Sequence, residues 1–554
     1  MSASLALRFV ATPQRLAVLQ RKLGKVMEAA PVVSTHSQLY FDTSGTRLRR
    51  LGFDLRLERR EAHWVQLMRC RKSGEEWQAP YVGGFDFSQW NDASLDKRLN
   101  RVKLRNHLIR VFDVRLRRSV WQGKTGLSVL LERGAVASGA RSTPFARLTL
   151  RGPHADREPL FDLAAQLSET VALLPEDDDV VARGYLLLAG HDEAPARAAA
   201  LDLADDASAR EAFAHIATAC LSHWIANRDG AVKQPDDPEY VHQLRVAIRR
   251  LRAAIQVFRT VLPEEFLAAA LPPLRELMAS LGRSRDLDVL MQEIVSPVAN
   301  ALPDEPRLQA LNERLIERLL QARRQASTQL DRPALGSDLI KLTRQIEALR
   351  LESPSPAIAE VPLREFVDQR LRKRLRAAQR CAEAARNDDP VSLHDLRIAI
   401  KRLRYSLEFF SSLLPDGMAR KVLRKLAVLQ DELGQLNDLA SAGALLMANA
   451  GDEAPLREAV TLIAGWHGAR YARLLADIPH HLDDVRGLRL PRLSPKVKAV
   501  KPIEPGSEPS MPPGVEPTGQ ASAPPAPPAQ DHTEPAGQST PSAEPTFLLP
   551  PTLD

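Results

Sequence analysis

The sequence predicts a multidomain chain: an α+β unit built on an antiparallel sheet, then an internally duplicated all-α unit, then a disordered proline-rich tail. Three observations carry this. Residues 1–190 hold short alternating apolar runs bounded by turn residues, with helical stretches between them. Residues 208–490 are dominated by helical periodicity and contain one basic motif twice, 152 residues apart. Residues 491–554 hold 17 of the 41 prolines of the 554-residue chain, and such a segment cannot bury enough apolar area to offset its ordering entropy.

The first copy of the motif reads Val241-His242-Gln243-Leu244-Arg245-Val246-Ala247-Ile248-Arg249-Arg250-Leu251-Arg252. The second reads Leu393-His394-Asp395-Leu396-Arg397-Ile398-Ala399-Ile400-Lys401-Arg402-Leu403-Arg404. Leu262-Pro263 then matches Leu414-Pro415, and Leu281-Gly282 with Asp286 matches Leu433-Gly434 with Asp438, without a slip over roughly 50 positions. At about 100° per residue, His242, Arg245, Arg249 and Arg252 fall in a sector of roughly 80° on one helix face. Leu244, Ile248, Leu251 and Ile255 fall on the other. His394, Arg397, Lys401 and Arg404 oppose Leu396, Ile400, Leu403 and Leu407 in the same way. Arg250 and Arg402 sit about 80° to the other side of the histidine and are weaker members.

Like charges at i,i+4 repel, and a solvated helix would intersperse glutamates. No carboxylate interrupts either stripe, so the charge calls for an anion. A metal site does not fit, because each motif supplies one His with no second ligand at the right spacing and with cationic neighbours. Nucleophilic catalysis does not fit either, since neither copy holds a Ser or Cys beside its His. Guanidinium forks match phosphate oxygens, and several together suit a multiply charged phosphate chain. Nucleic acid competes on charge alone, although aromatics are only 5% of the chain and offer few stacking platforms.

The paired His-x-x-Arg-x-x-x-Arg/Lys-Arg-x-Arg helices resemble the CHAD domain, the conserved-histidine α-helical family, over about residues 208–490. The resemblance implies two pseudo-symmetric four-helix halves around a basic pore or groove that binds inorganic polyphosphate. It assigns that role to His242, Arg245, Arg249, Arg252, His394, Arg397, Lys401 and Arg404, and implies an accessory function with delivery to polyphosphate or storage granules. Arg370, Lys373 and Arg374, in a third basic stretch, either extend the face or form a solvated helix. Asp286 and Asp438 are expected to cap a helix or orient a basic side chain.

The N-terminal runs are Leu5–Phe9, Leu55–Leu57, Trp64–Met68, Leu127–Leu130 and Ala146–Leu150, with helices about 13–28 and 158–173. Tyr40-Phe41-Asp42-Thr43, Leu48, Gly52, Leu55-Arg56, Trp64-Val65-Gln66, Glu76-Trp77, Arg118 with Trp121, and Arg183-Gly184-Tyr185 resemble the CYTH, or triphosphate tunnel, family. That resemblance implies a barrel-like tunnel whose basic residues hold a triphosphate and whose glutamates hold Mg²⁺ or Mn²⁺. Here the opening Glu-x-Glu-x-Lys is replaced by Ser4, Ala6 and Arg8, Pro144 through Arg151 has no acid, and Val180 and Glu58 replace a lysine and an arginine. Two-metal phosphoryl chemistry needs clustered carboxylates. Arg8, Arg56, Arg69, Arg118 and Arg183 remain as phosphate contacts, while Glu76 and Glu132 alone read as structural. A tunnel that binds phosphate without hydrolysing it is expected, with no cofactor and no metal ligands. The alternative is a metal-dependent triphosphatase or polyphosphatase, and nucleic-acid binding is the third reading.

The net charge is +7; the tail from Pro495 onward carries −4, which leaves +11 on the rest and favours a polyanionic partner. Residues 191–207, rich in Ala and Asp, read as the link between domains 1–190 and 208–490. Cys70, Cys220 and Cys381 imply no disulfide framework, and no apolar run of about 18 residues or leader stands out, so a cytoplasmic location is expected. A histidine among arginines resists protonation until an anion arrives. Binding is therefore expected to take up protons at His242 and His394 and to tighten on mild acidification. Equal polyphosphate affinity for wild type and His242→Gln/His394→Gln between about pH 6 and 8 would remove that idea.

Overall fold

The computed structural model describes residues 4–493 apart from 12–15, 61–62, 72, 89–98, 100–101, 124–125, 154–156, 170, 172, 176–179, 191–193, 352–361 and 388. The chain divides into Met1–Lys496 and Val497–Asp554. The second unit lies outside the described residues, so the tail expectation falls there.

Nine strands form one antiparallel sheet: β1 Ser4–Ala11, β2 Val32–Asp42, β3 Phe53–Arg60, β4 His63–Cys70, β5 Glu76–Pro80, β6 Ile109–Gln122, β7 Ser128–Ser138, β8 Arg141–Pro153 and β9 Leu173–Pro175. The order is β5-β4-β3-β2-β6-β7-β8-β1-β9. The alternating runs become β1, β3, β4, β7 and β8. The long β2 and β6 do not announce themselves by alternation, because their inward positions include Gln38 and Arg118. Among the described residues three longer helices accompany the sheet, α1 Leu16–Met27, α2 Arg157–Ser168 and α3 Val180–Leu188, besides the single turns Arg47–Arg50 and Val102–Arg105.

The landmark residues of this unit are mostly structural. Asp42 is fully buried and accepts from the backbone N–H groups of Thr43, Leu48 and Arg49 at 2.7, 2.8 and 3.0 Å. Tyr185 donates its hydroxyl to the same carboxylate at 2.8 Å. Burial, and then the Asp42 charge, push the Tyr185 phenol well above its usual range, so it remains a donor. A Cβ on Gly184 would lie 2.4 Å from the Phe112 ring, so only glycine lets α3 pack on β6 there.

The helical unit contains α4 Ala209–Lys233, α5 Pro238–Phe258, α6 Glu264–Ser280 and α7 Gly282–Val289, which passes through a π-helical turn, Leu290–Val295, into α8 Ser296–Ala301. Then follow α9 Pro306–Leu330, α10 Pro333–Leu351, α11 Leu363–Ala384, α12 Pro390–Phe409, α13 Met418–Ala450 and α14 Ala454–Arg486. The repeat is visible in the caps: Asp237 and Asp389 each accept from a backbone N–H two residues on, and each is followed by a proline at N1. Both motif helices run into a 3₁₀ turn, Arg259–Val261 and Ser411–Leu413.

Two sets of helix-breaking residues lie within helices: Pro272-Pro273 inside α6, and Gly434 inside α13. Burial of Phe266, Leu267, Ala270, Leu274 and Leu277 on one face of α6 outweighs the local penalty of the prolines.

The segment foreseen as a link does more than connect. Leu201 and Leu203 are buried in the helical core. Buried Asn227 clamps Ala196 by accepting from its N–H at 2.9 Å and donating to its carbonyl at 3.0 Å. Helix α10 ties the units further: Ile340 is buried with Leu173 and Phe161 in the core of the sheet unit. A Cβ on Gly336 would lie 2.7 Å from the Leu173 carbonyl oxygen. Gly336→Ala is therefore expected to cost about 1–3 kcal/mol, as overpacking does. A thermal midpoint equal to that of wild type would show that this contact bears no stability.

Candidate functional site

The motif helices α5 and α12 contact each other, and their apolar faces are buried in one shared core. Leu244, Ile248, Leu251 and Ile255 are at most 2% exposed, and Leu396, Ile400, Leu403 and Leu407 are fully buried. This burial holds two cationic faces on one cavity of about 640 Å³. Its wall takes His242, Arg249 and Arg250 from α5, Arg397, Lys401, Arg404 and Tyr405 from α12, Arg285 from α7, and Arg470 from α14. The π turn contributes Glu293 and Ile294, and His467 holds the Ile294 carbonyl at 2.9 Å.

The sequence-derived set is divided rather than gathered whole. Arg245 and Arg252 line a second pocket of about 610 Å³ with Arg275 and Arg283. On the helical wheel they lie roughly 60–80° from His242, enough to face another neighbour. His394 is exposed and lies outside the central cavity's lining, unlike half-buried His242. Arg370, Lys373, Arg374 and Arg402 also lie outside it. Arg370 stacks over Phe366 at 4.8 Å and donates to Thr260. Neither matched aspartate caps a helix: Asp286 lies within α7, 3.6 Å from Arg245, and Asp438 lies within α13, where it raises the Lys401 pKa.

Two cavity cations escaped the sequence reading. Arg285 stands one residue before the register-matched Asp286, a signal that could have been followed. Arg470 comes from the last helix and becomes a neighbour only through packing. The wall also holds Glu293, Glu408, Asp431 and Asp438. Glu408 pairs with Arg250 at 2.6 Å and lies 3.5 Å from Arg404, so part of the stripe is neutralised after all.

The remaining charge is uncompensated. The buried Nε atoms of Arg249 and Arg404 have no hydrogen-bond partner among the described residues. Burial, Arg397 and Arg249 push the Lys401 ammonium down to about 8, against a smaller opposing pull from Asp438. Burial and Arg285, followed by Arg249 and Arg245, depress His242, with Glu239 pulling the other way. Both groups favour losing a proton until an anion balances them.

The residues at 215–447 match the CHAD domain family model. The chain is similar to the CHAD domain from the plant Ricinus communis, with 33% identity over 54% of this chain and 99% of that one (TM-score 0.46). This chain belongs to the CHAD domain family. It is also similar to PptA from Streptomyces chartreusis, with 17% identity over 51% of this chain and 97% of that one (TM-score 0.35). A Hippeastrum protein named for adenylyl cyclase and described by a dominant triphosphatase activity shares 14% identity over 34% of this chain and 97% of its own (TM-score 0.26). No curated protein matches.

The sheet unit before the CHAD domain holds its own cavity of about 570 Å³, lined from β1 through β8 and from α3. Of the arginines singled out in the sequence, Arg8, Arg56, Arg69 and Arg118 line it, joined by Arg71, Arg147 and Arg151, whereas Arg183 on α3 does not. Val180, in the place of the family's lysine, is also on the wall. Among the described residues no group of three or more His, Cys, Asp or Glu is placed to hold a metal ion, and no helix is long and apolar enough to cross a membrane.

The Lys401 shift has a pH consequence. Its folded pKa lies below its unfolded value, so the charged lysine opposes folding fully below about pH 8, and the penalty fades as pH rises above that. A bound polyanion raises that pKa again. Affinity is therefore expected to be level below about pH 8, as far as this group sets it, and to fall above. Lys401→Met is expected to flatten the alkaline limb in a binding titration; an undiminished fall in that variant would assign it elsewhere.

Proposed function

We propose that this chain binds inorganic polyphosphate in the cavity between its paired basic helices and serves as an accessory protein, bringing it to polyphosphate or storage granules. The observation that carries this reading is the pair of buried, unpartnered guanidinium donors of Arg249 and Arg404, one from each half of the duplication. A buried donor without an acceptor costs about 1–3 kcal/mol, which a phosphate oxygen at hydrogen-bond distance recovers. A flexible phosphate chain can enter a half-enclosed cavity and meet donors on several helices. A rigid duplex would touch only the rim, which ranks nucleic acid below polyphosphate.

The test is a competition between labelled long-chain polyphosphate and duplex DNA at near-physiological salt, with Mg²⁺ present and released phosphate monitored. Polyphosphate is expected to win, and Arg249→Ala/Lys401→Ala is expected to weaken it at least about tenfold, or roughly 1.4 kcal/mol. Arg370→Ala/Arg374→Ala is expected to stay within about twofold, since those residues lie outside the cavity. Steady Mg²⁺-dependent phosphate release would establish the phosphatase reading instead. Salt dependence alone would separate none of them.

A further inference from the structure

The cavity of the sheet unit carries an inference beyond that reading. Arg118, Glu132 and Arg147 are direct cross-strand neighbours on β6, β7 and β8. The Glu132 side chain is 4% exposed. Its Oε1 accepts from Arg118 Nε at 2.9 Å and lies 2.8 Å from Arg118 Nη2. Its Oε2 accepts from Arg147 Nε at 2.9 Å and Nη2 at 2.6 Å. A carboxylate has about four lone-pair sites, so these four contacts leave none for a cation. The two guanidinium groups hold Glu132 below the usual carboxylate range despite its burial.

The other carboxylates of the wall are also engaged. Both oxygens of Glu76 lie 3.1 Å from Arg56 Nη2. Asp54 lies 3.7 Å from Arg49 and 3.9 Å from Arg71. Among the described residues the wall sets seven arginines against three carboxylates. A hard divalent cation held by side chains needs several free carboxylate oxygens. The described donors of this wall do not fit one.

We propose that the guanidinium group of Arg147 replaces a divalent cation in this tunnel, so that the cavity grips a linear oligophosphate with no metal and Mg²⁺ opposes the binding. The phosphate oxygens meet the guanidinium forks directly, with the Glu132 triad fixing the geometry of two of them. Mg²⁺ in solution binds the oligophosphate, lowers its charge, and competes with the arginines for its oxygens. A tunnel that used the metal would respond the opposite way.

The experiment is a calorimetric titration of tripolyphosphate into the full chain carrying Arg249→Ala/Lys401→Ala, which separates this site from the helical cavity. It is run in chelator and again in excess Mg²⁺. The expected result is saturable binding in chelator, weakened at least about threefold by Mg²⁺, and lost about tenfold or more on adding Arg8→Gln/Arg69→Gln. Arg151→Gln, an exposed position on the same wall, reads the same loss if that variant does not fold. Binding that appears only with Mg²⁺, or that survives Arg8→Gln/Arg69→Gln and Arg151→Gln unchanged, overturns the proposal. Wild-type binding of long-chain polyphosphate is a separate readout, so either reading can fail alone.

Discussion

Two helices whose cationic faces oppose each other are held in place by apolar faces buried in one shared core, and the central cavity depends on that balance. Burying Leu396, Ile400, Leu403 and Leu407 against the core around Leu244, Leu251 and Ile255 contributes roughly 1.5–3 kcal/mol for each large side chain. Bringing Arg249, Arg285, Arg397 and Lys401 to one wall works against it, and burial, then Arg397 and Arg249, depress the Lys401 ammonium there. The fold thus stores electrostatic strain where a polyanion can relieve it.

The duplication is close in sequence but unequal in space. In the first half the third helix breaks at Leu281-Gly282 and passes through a π turn, while in the second Met418–Ala450 is continuous. Gly282 gives Arg245 room, since a Cβ there would meet its Nη1 at 3.1 Å. Arg245 and Arg252 line a second pocket beside this break, whereas Arg397 and Arg404 line the central one. One motif therefore serves two surfaces, and only half of the symmetry that the register suggests survives packing.

The sheet unit shows a different device. Inward positions of β1 through β8 alternate so that arginines and carboxylates from neighbouring strands meet by backbone register. Pairing Glu132 between two arginines turns a potential metal ligand into a brace. The Asp42 hub and the close pass of Gly184 over Phe112 keep the wall in place without touching its chemistry.

The sequence by itself determined the class of each part, the register of the repeat, and the excess of cations over metal ligands, because periodicity and residue type are local properties. It showed His242, Arg249, Arg397, Lys401 and Arg404 as candidates because a helical wheel needs no neighbours. Tertiary structure decided which of them share a cavity. A wheel treats an 80° sector as one face, but a packed helix meets a different partner on each side, so Arg245 and Arg252 part from Arg249. Glu408 and Arg470 reach the wall from positions remote from the first motif, and the saturation of Glu132 follows from strand register, which one strand's sequence cannot reveal. Charges at long separation in the chain become neighbours only when burial of apolar surface elsewhere fixes the distance between them.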